Sequence, residues 1–206
     1  MNIGPKTQTS WGKHAKWYKG VVQEAGSYQR DVILPNLLRM LNVKKGEAIL
    51  DLACGEGFFS REMQKLGAQV TAMDIAPELI EIAKKQSPRD IIFYTGDAAN
   101  LRMLKSGMFD AAIIVLALQN IELMGKALQE ARRVLKTGGR LLIVLNHPVL
   151  RIPKLSGWGW DEKQGLQYRH INGYMSEIKI PIEMHPGKDK KEITWSFHRP
   201  LESYVN

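Results

Sequence analysis

Asp51, Gly55, Gly57, Asp74 and Asp97 are the residues whose types and spacing carry chemistry in this chain. An apolar run, Ile49-Leu50-Asp51-Leu52, enters the turn Ala53-Cys54-Gly55-Glu56-Gly57. Phe59, Met63 and Leu66 then recur at helical spacing until Gly67 supplies a stop. Strand, glycine loop and helix in that order make a cradle for a nucleotide. The glycines let the backbone come close to a ligand, and the helix start offers unpaired N–H groups. Val70-Thr71-Ala72-Met73 reads as a second strand ending in Asp74, where a carboxylate can accept both hydroxyls of a ribose. Ile91-Ile92-Phe93-Tyr94 reads as a third strand, followed by Gly96-Asp97-Ala98, whose carboxylate can take the exocyclic amine of adenine.

The elements that must position these groups follow from periodicity. Asp110 opens a fourth buried strand, Ala111 to Leu118, that leads into Gln119 and Asn120. Met124, Leu128, Ala131 and Leu135 make one helix face, Gly138-Gly139 is expected to end that helix, and Leu141 to Leu145 form a fifth strand. Uninterrupted apolar strands require a sheet covered on both faces. Strands alternating with helices are βαβ units, so the expected fold is α/β with a doubly wound, mostly parallel sheet and ligands at the strand C-termini.

At this point the chain resembles the class I S-adenosylmethionine-dependent methyltransferases. Their glycine motif appears as Asp51-Leu52-Ala53-Cys54-Gly55-Glu56-Gly57, their second-strand acid as Asp74, their Asp-Ala pair as Asp97-Ala98, and the lead-in to their fifth strand as Leu135 to Arg140. The likeness covers about residues 40 to 147. It implies a Rossmann-like S-adenosylmethionine-binding core over 45–147, an N-terminal helical arm or lid over 1–44, and an acceptor-side segment over 148–206. It further implies that Asp74, with Ile75 beside it, holds the ribose, that Asp97 and Ala98 hold the adenine, and that carbonyls near Ala53 and Leu116 take the cofactor's ammonium. Asp51, Cys54, Gly55 and Gly57 complete the cradle, with Trp11 and Tyr28 as lid contacts. Ala53 departs from the family, which usually has its first glycine there. A dinucleotide oxidoreductase is the rival. Its fingerprint wants a third glycine where this chain has Ser60.

The acceptor side is less legible. All five tryptophans lie outside the glycine-loop core, so the flanks are expected to build the acceptor pocket for a small, ring-bearing molecule. His147 is the candidate general base, because an imidazole titrates near neutrality. Gln119, Asn120, Arg151, Trp158 and Trp160 are the candidate acceptor contacts. The Gly- and Pro-rich stretch from Asn146 to Trp160 reads as a loop. Ile178, Ile180 and Ile182 with Ile193, Trp195 and Phe197 read as a β-hairpin with one apolar face, either completing the sheet beside the fifth strand or inserted over the acceptor. Arg199 to Asn206 reads as the start of a helix, which suggests a chain shortened relative to the family.

Composition agrees with one medium globular domain: 206 residues, 44% hydrophobic and 24% charged. The net charge of +8 is concentrated in residues 1 to 44, with seven basic side chains against two acidic. RNA therefore stands as a second acceptor class, and a non-catalytic cofactor-binding module as a third reading. No apolar run is long enough to span a bilayer, no His or Cys spacing suggests a metal site, and the lone Cys54 suits a reducing compartment, so a cytoplasmic location is expected.

Overall fold

The structure, a computed structural model, describes residues 26–183 and 193–205. Trp11, Lys6, Lys13, Lys16 and Lys19 fall outside the described residues. The chain forms two compact units, one running to Leu118 and again from Leu123 to Val144, the other made of Gln119–Glu122 and the chain from Leu145 onward.

In the first unit a π-helical segment, Gln29–Ile33, continues into α1, Leu34–Leu41. Pro35 sits in its first turn and, having no N–H, donates nothing back to the π-helical segment that precedes it. Beyond it, β1 (Ala48–Leu52), α2 (Phe58–Lys65), β2 (Gln69–Asp74), α3 (Pro77–Gln86), β3 (Ile92–Thr95), β4 (Phe109–Val115), α4 (Met124–Val134) and β5 (Leu135–Val144) alternate as the periodicity requires. The strands pair in parallel in the order β3-β2-β1-β4-β5. Ile49, Leu50, Leu52, Ala111, Ala112, Ile113 and Ile114 are all fully buried, as strands covered on both faces must be. Helix faces built from Leu37 and Leu41, Met63, and Ala127, Ala131 and Val134 are likewise fully or almost fully buried. Burial at this density contributes roughly 1.5–3 kcal/mol per large side chain.

Four expectations change. The fourth strand ends at Val115, not Leu118, because Leu116 turns into left-handed backbone at φ 51° and a 3-10 turn, Leu118–Asn120, follows. Helix α4 stops at Val134, before the two glycines. Leu135 already pairs with Phe109, the register then slips, and Arg140 pairs with Ala111. Gly138, at φ 77°, and Gly139, whose Cβ would stand 2.9 Å from the Lys136 carbonyl oxygen, therefore serve a bulge at the strand start instead of a helix cap.

The second unit holds the third correction. The stretch read as a loop contains β6, Ser156–Asp161, paired antiparallel with β7, Leu166–Ile171. Gly157 and Gly159 lie opposite His170 and Tyr168, and a Cβ at Gly159 would meet the Tyr168 ring at 2.5 Å. Glycine is used so that a cross-strand ring can lie over bare backbone. The second hairpin forms as expected from β8, Ile178–Glu183, and β9, Ile193–His198, and among the described residues it is a separate two-stranded sheet.

Its faces differ from expectation. Ile178, Ile180 and Ile182 stand opposite His198, Ser196 and Thr194, and residues directly opposite in an antiparallel pair share a face. The buried side of β9 is thus polar: Thr194, Ser196 and His198 are buried, while Trp195 and Phe197 face Lys179, whose Nζ lies 5.0 and 5.3 Å from their rings. A short helix, α5, Glu202–Val205, follows. Among the described residues no helix is long and apolar enough to cross a membrane.

Candidate functional site

The loop after β1 carries the first unit's chemistry. Strand order reverses between β1 and β4, and their C-terminal ends run straight into residues held in left-handed backbone: Ala53 at φ 58° after β1, and Leu116 at φ 51° after β4. For a residue with a Cβ this conformation costs roughly 1–2 kcal/mol, and such strain gathers where a ligand is held. Gly55 and Gly57 share the region at φ 58° and 79°. A Cβ at Gly57 would also press the Phe93 ring at 3.1 Å and the Ala83 methyl at 3.3 Å, so glycine is required there on two counts.

The acids are built in. Asp74, at the end of β2, is 7% exposed. One of its oxygens accepts the Gly55 N–H at 2.8 Å and the other the Ala76 N–H at 2.9 Å, so the acid holds the loop to the second strand. Burial pushes its carboxyl up, and the backbone N–H donors of Ala76, Gly55 and Ile75 oppose that. Each oxygen keeps acceptor capacity for a further hydroxyl. Asp51 is more deeply enclosed. Its Oδ2 accepts the Ser60 hydroxyl at 2.5 Å, and burial, with the Asp74 charge nearby, drives its carboxyl to about 7 despite that bond.

Glu56, inside the loop, is buried and gripped by Arg61, which donates to its carboxylate at 2.9 Å and to its carbonyl at 2.7 Å. The sequence pattern alone assigns neither residue a role, although Glu56 and Arg61 stand five apart across the helix start. Cys54 is half-buried, and desolvation pushes its thiol well upward, so it fills space in the loop. Asp97 accepts the N–H of Ala99 at 2.8 Å and so shapes the turn in which Ala98 is buried. Ile75 is partly exposed beside Asp74, and Tyr28 is 60% exposed.

In the second unit, Gln119 and Arg151 line one small cavity of about 30 Å³ together with Asn146, Ser196, His198 and Tyr204. His198 was given no role by sequence. Its Nε2 lies 2.9 Å from the Tyr174 carbonyl, an acceptor only, so Nε2 carries the proton and donates. The signal that would have found it is the polar alternation Thr194, Ser196, His198 along a strand. His147 is exposed, and its Nδ1 accepts the Val149 N–H at 3.3 Å, so the neutral ring keeps its proton on Nε2. Asn120 donates to the Trp195 carbonyl at 2.9 Å and ties the turn to β9. Trp158 and Trp160 stand exposed on β6, with the Arg169 guanidinium 5.2 Å from the Trp158 ring, and neither lines the cavity.

A doubly wound parallel sheet with strained, glycine-bearing loops and a buried acid at its switch point defines a nucleotide-binding α/β protein. The comparisons are narrower. Residues 50–143 match the family described as "Methyltransferase domain". A demethylmenaquinone methyltransferase of Paenarthrobacter aurescens is 40% identical over 111 residues, 53% of this chain and 43% of that protein. A biotin biosynthesis bifunctional protein of Cellvibrio japonicus is 31% identical over 173 residues, 83% of this chain and 32% of that protein. An S-adenosylmethionine-dependent methyltransferase structure from Mesorhizobium loti superposes with a TM-score of 0.71 at 27% identity, covering 84% of this chain and 76% of that one. The chain spans less than half the length of the two relatives.

Residues 50–143 match the methyltransferase domain, and the fold is similar to that of a solved S-adenosylmethionine-dependent methyltransferase. The loop fits the cofactor of that family: adjacent strand ends carry the strained backbone, and a buried carboxylate retains lone pairs for a diol.

Proposed function

We propose that the protein transfers a methyl group from S-adenosylmethionine, by in-line displacement, to a small, ring-bearing acceptor. The observation that carries the reading is the pair of left-handed, non-glycine residues, Ala53 and Leu116, at adjacent strand ends beside the buried acid Asp74. In this reading Asp74 holds the ribose hydroxyls, Asp97 and Ala98 the adenine, and the carbonyls of Ala53 and Leu116 the ammonium. Gly55 and Gly57 let the backbone approach, with Asp51, Cys54 and Ile75 around them. A ring-bearing acceptor accords with the name of the Paenarthrobacter relative.

When bound, the cofactor supplies a methyl on a sulfonium, which is already an activated leaving group. The protein's part is to align acceptor and methyl and to exclude water, a contribution worth up to about 7–11 kcal/mol of barrier. Base catalysis by His147 would require its Nδ1 to release the Val149 N–H or its Nε2 to lose a proton. Calorimetry with S-adenosylhomocysteine and with NAD tests the cofactor: micromolar binding of the first and none of the second is expected, and the reverse overturns the reading. Transfer of a radiolabelled methyl to quinol and phenol acceptors, but not to RNA, tests the acceptor class.

A further inference from the structure

Arg199 directly follows β9 and is only 7% exposed. A guanidinium cannot shed its proton in a protein, and a buried charge is costly unless it is paired. Its partners here are all neutral. Nη2 donates to the carbonyls of Ile121 at 3.2 Å and Glu122 at 2.8 Å, the Phe197 ring centre is 5.4 Å away, and the Tyr204 hydroxyl stands beside it. Nη1 is buried with no hydrogen-bond acceptor, and among the described residues no carboxylate forms an ion pair with this side chain.

The cavity described above adjoins this charge, since Phe197 and Tyr204 belong to its wall. A second cation, Arg151, lines it, along with the hydroxyls of Ser196 and Tyr204 and the amides of Gln119 and Asn146. No Asp or Glu does. Burial pushes the Tyr204 phenol up, so it stays a donor at neutral pH. The volume, about 30 Å³, is room for one or two water-sized groups, hence for one small functional group of a ligand and not for a ring. A pocket with one guanidinium in its described lining and a second behind its wall, opposed by Glu177 acting on Tyr204 from outside the lining, is complementary to an anion, and the fork of an arginine matches a carboxylate.

We propose that this cavity is an anion subsite that takes the carboxylate of a small organic acid, with Arg151 contacting it directly and Arg199 supplying a second positive charge from behind Phe197 and Tyr204. Its chemistry does not depend on the methyltransferase reading.

The test uses benzoate and its neutral counterpart benzamide, titrated into the full chain at constant ionic strength and followed by NMR shifts or calorimetry. Benzoate should bind at millimolar or better and benzamide at least tenfold more weakly. Arg151→Gln, at an exposed position, should weaken benzoate at least tenfold and leave both benzamide and S-adenosylhomocysteine unchanged. Tyr204→Phe should weaken benzoate severalfold. Equal binding of the two probes, no binding of benzoate, or full benzoate affinity in Arg151→Gln overturns the proposal. Failure of the wild type to bind S-adenosylhomocysteine would instead count against methyl transfer, since benzoate reads the anion subsite by itself.

Discussion

Replacing Asp51 by Asn should stabilise the ligand-free protein, and the gain should depend on pH in a specified way. The carboxyl is enclosed within β1 and driven from its ordinary 3.8 to about 7, chiefly by desolvation. Below pH 3.8 it is protonated in both folded and unfolded chains, so it has no influence on the pH dependence there. Between 3.8 and about 7 the unfolded chain releases the proton and the folded one keeps it, so stability falls as pH rises, by about 1.4 kcal/mol per pH unit. Above about 7 both states are ionised and the loss is complete, about 4 kcal/mol on this reckoning. Asparagine keeps the shape and an oxygen for the Ser60 hydroxyl without the charge, so the pH-dependent loss disappears. Urea unfolding followed by circular dichroism at pH 4.5, 5.5, 6.5 and 8 measures the difference directly. The variant's advantage should grow across the series and level off near pH 7. A difference that stays constant with pH, or that shrinks as pH rises, would refute the assignment of Asp51 as a buried, late-ionising acid.

The other expected outcomes are sharper in sign than in size. Asp74→Ala should weaken S-adenosylhomocysteine by about 1.5–3 kcal/mol in calorimetry, because a charge-assisted acceptor is removed, and unchanged affinity would take Asp74 out of the ribose role. Ala53→Gly should raise stability by about 0.5–1 kcal/mol in chemical denaturation, relief of the φ 58° strain outweighing the added chain entropy; destabilisation would show that the methyl packs usefully. His147→Ala should hold turnover within about threefold, since an exposed ring whose Nδ1 accepts a backbone N–H is not set as a base; a loss of about 100-fold or more, the scale of general base catalysis, would restore that role.

The cofactor half of the molecule was legible because its signals are local. The run into Asp51, the glycines, and the acid closing β2 each express a requirement of a few consecutive residues, and the observed β1, α2, β2 and β3 follow that reading to within a residue or two at most ends. Where it slipped, long-range pairing was responsible. Leu135 leaves the helix because Phe109 of β4 offers it a ladder position, and Gly138 and Gly139 are spent on the resulting bulge. Likewise Gly157 and Gly159 look like loop residues until Tyr168 and His170 are laid across them.

The chain's own pattern thus determined a parallel, doubly wound sheet, the loop at its switch point and the acids beside it, since alternation of apolar strands with amphipathic helices leaves few topologies and glycine marks where backbone must approach a ligand. Tertiary structure decided the second unit. Two strands of equal alternation, Ile178 to Ile182 and Ile193 to Phe197, suggested a shared apolar face, yet a hairpin's faces are set by register, and a shift of one residue exchanges them. That register turns Thr194, Ser196 and His198 inward and places the buried charge of Arg199 beside the wall of a polar cavity. Periodicity says which residues of a strand lie together; only the partner strand says which way they face.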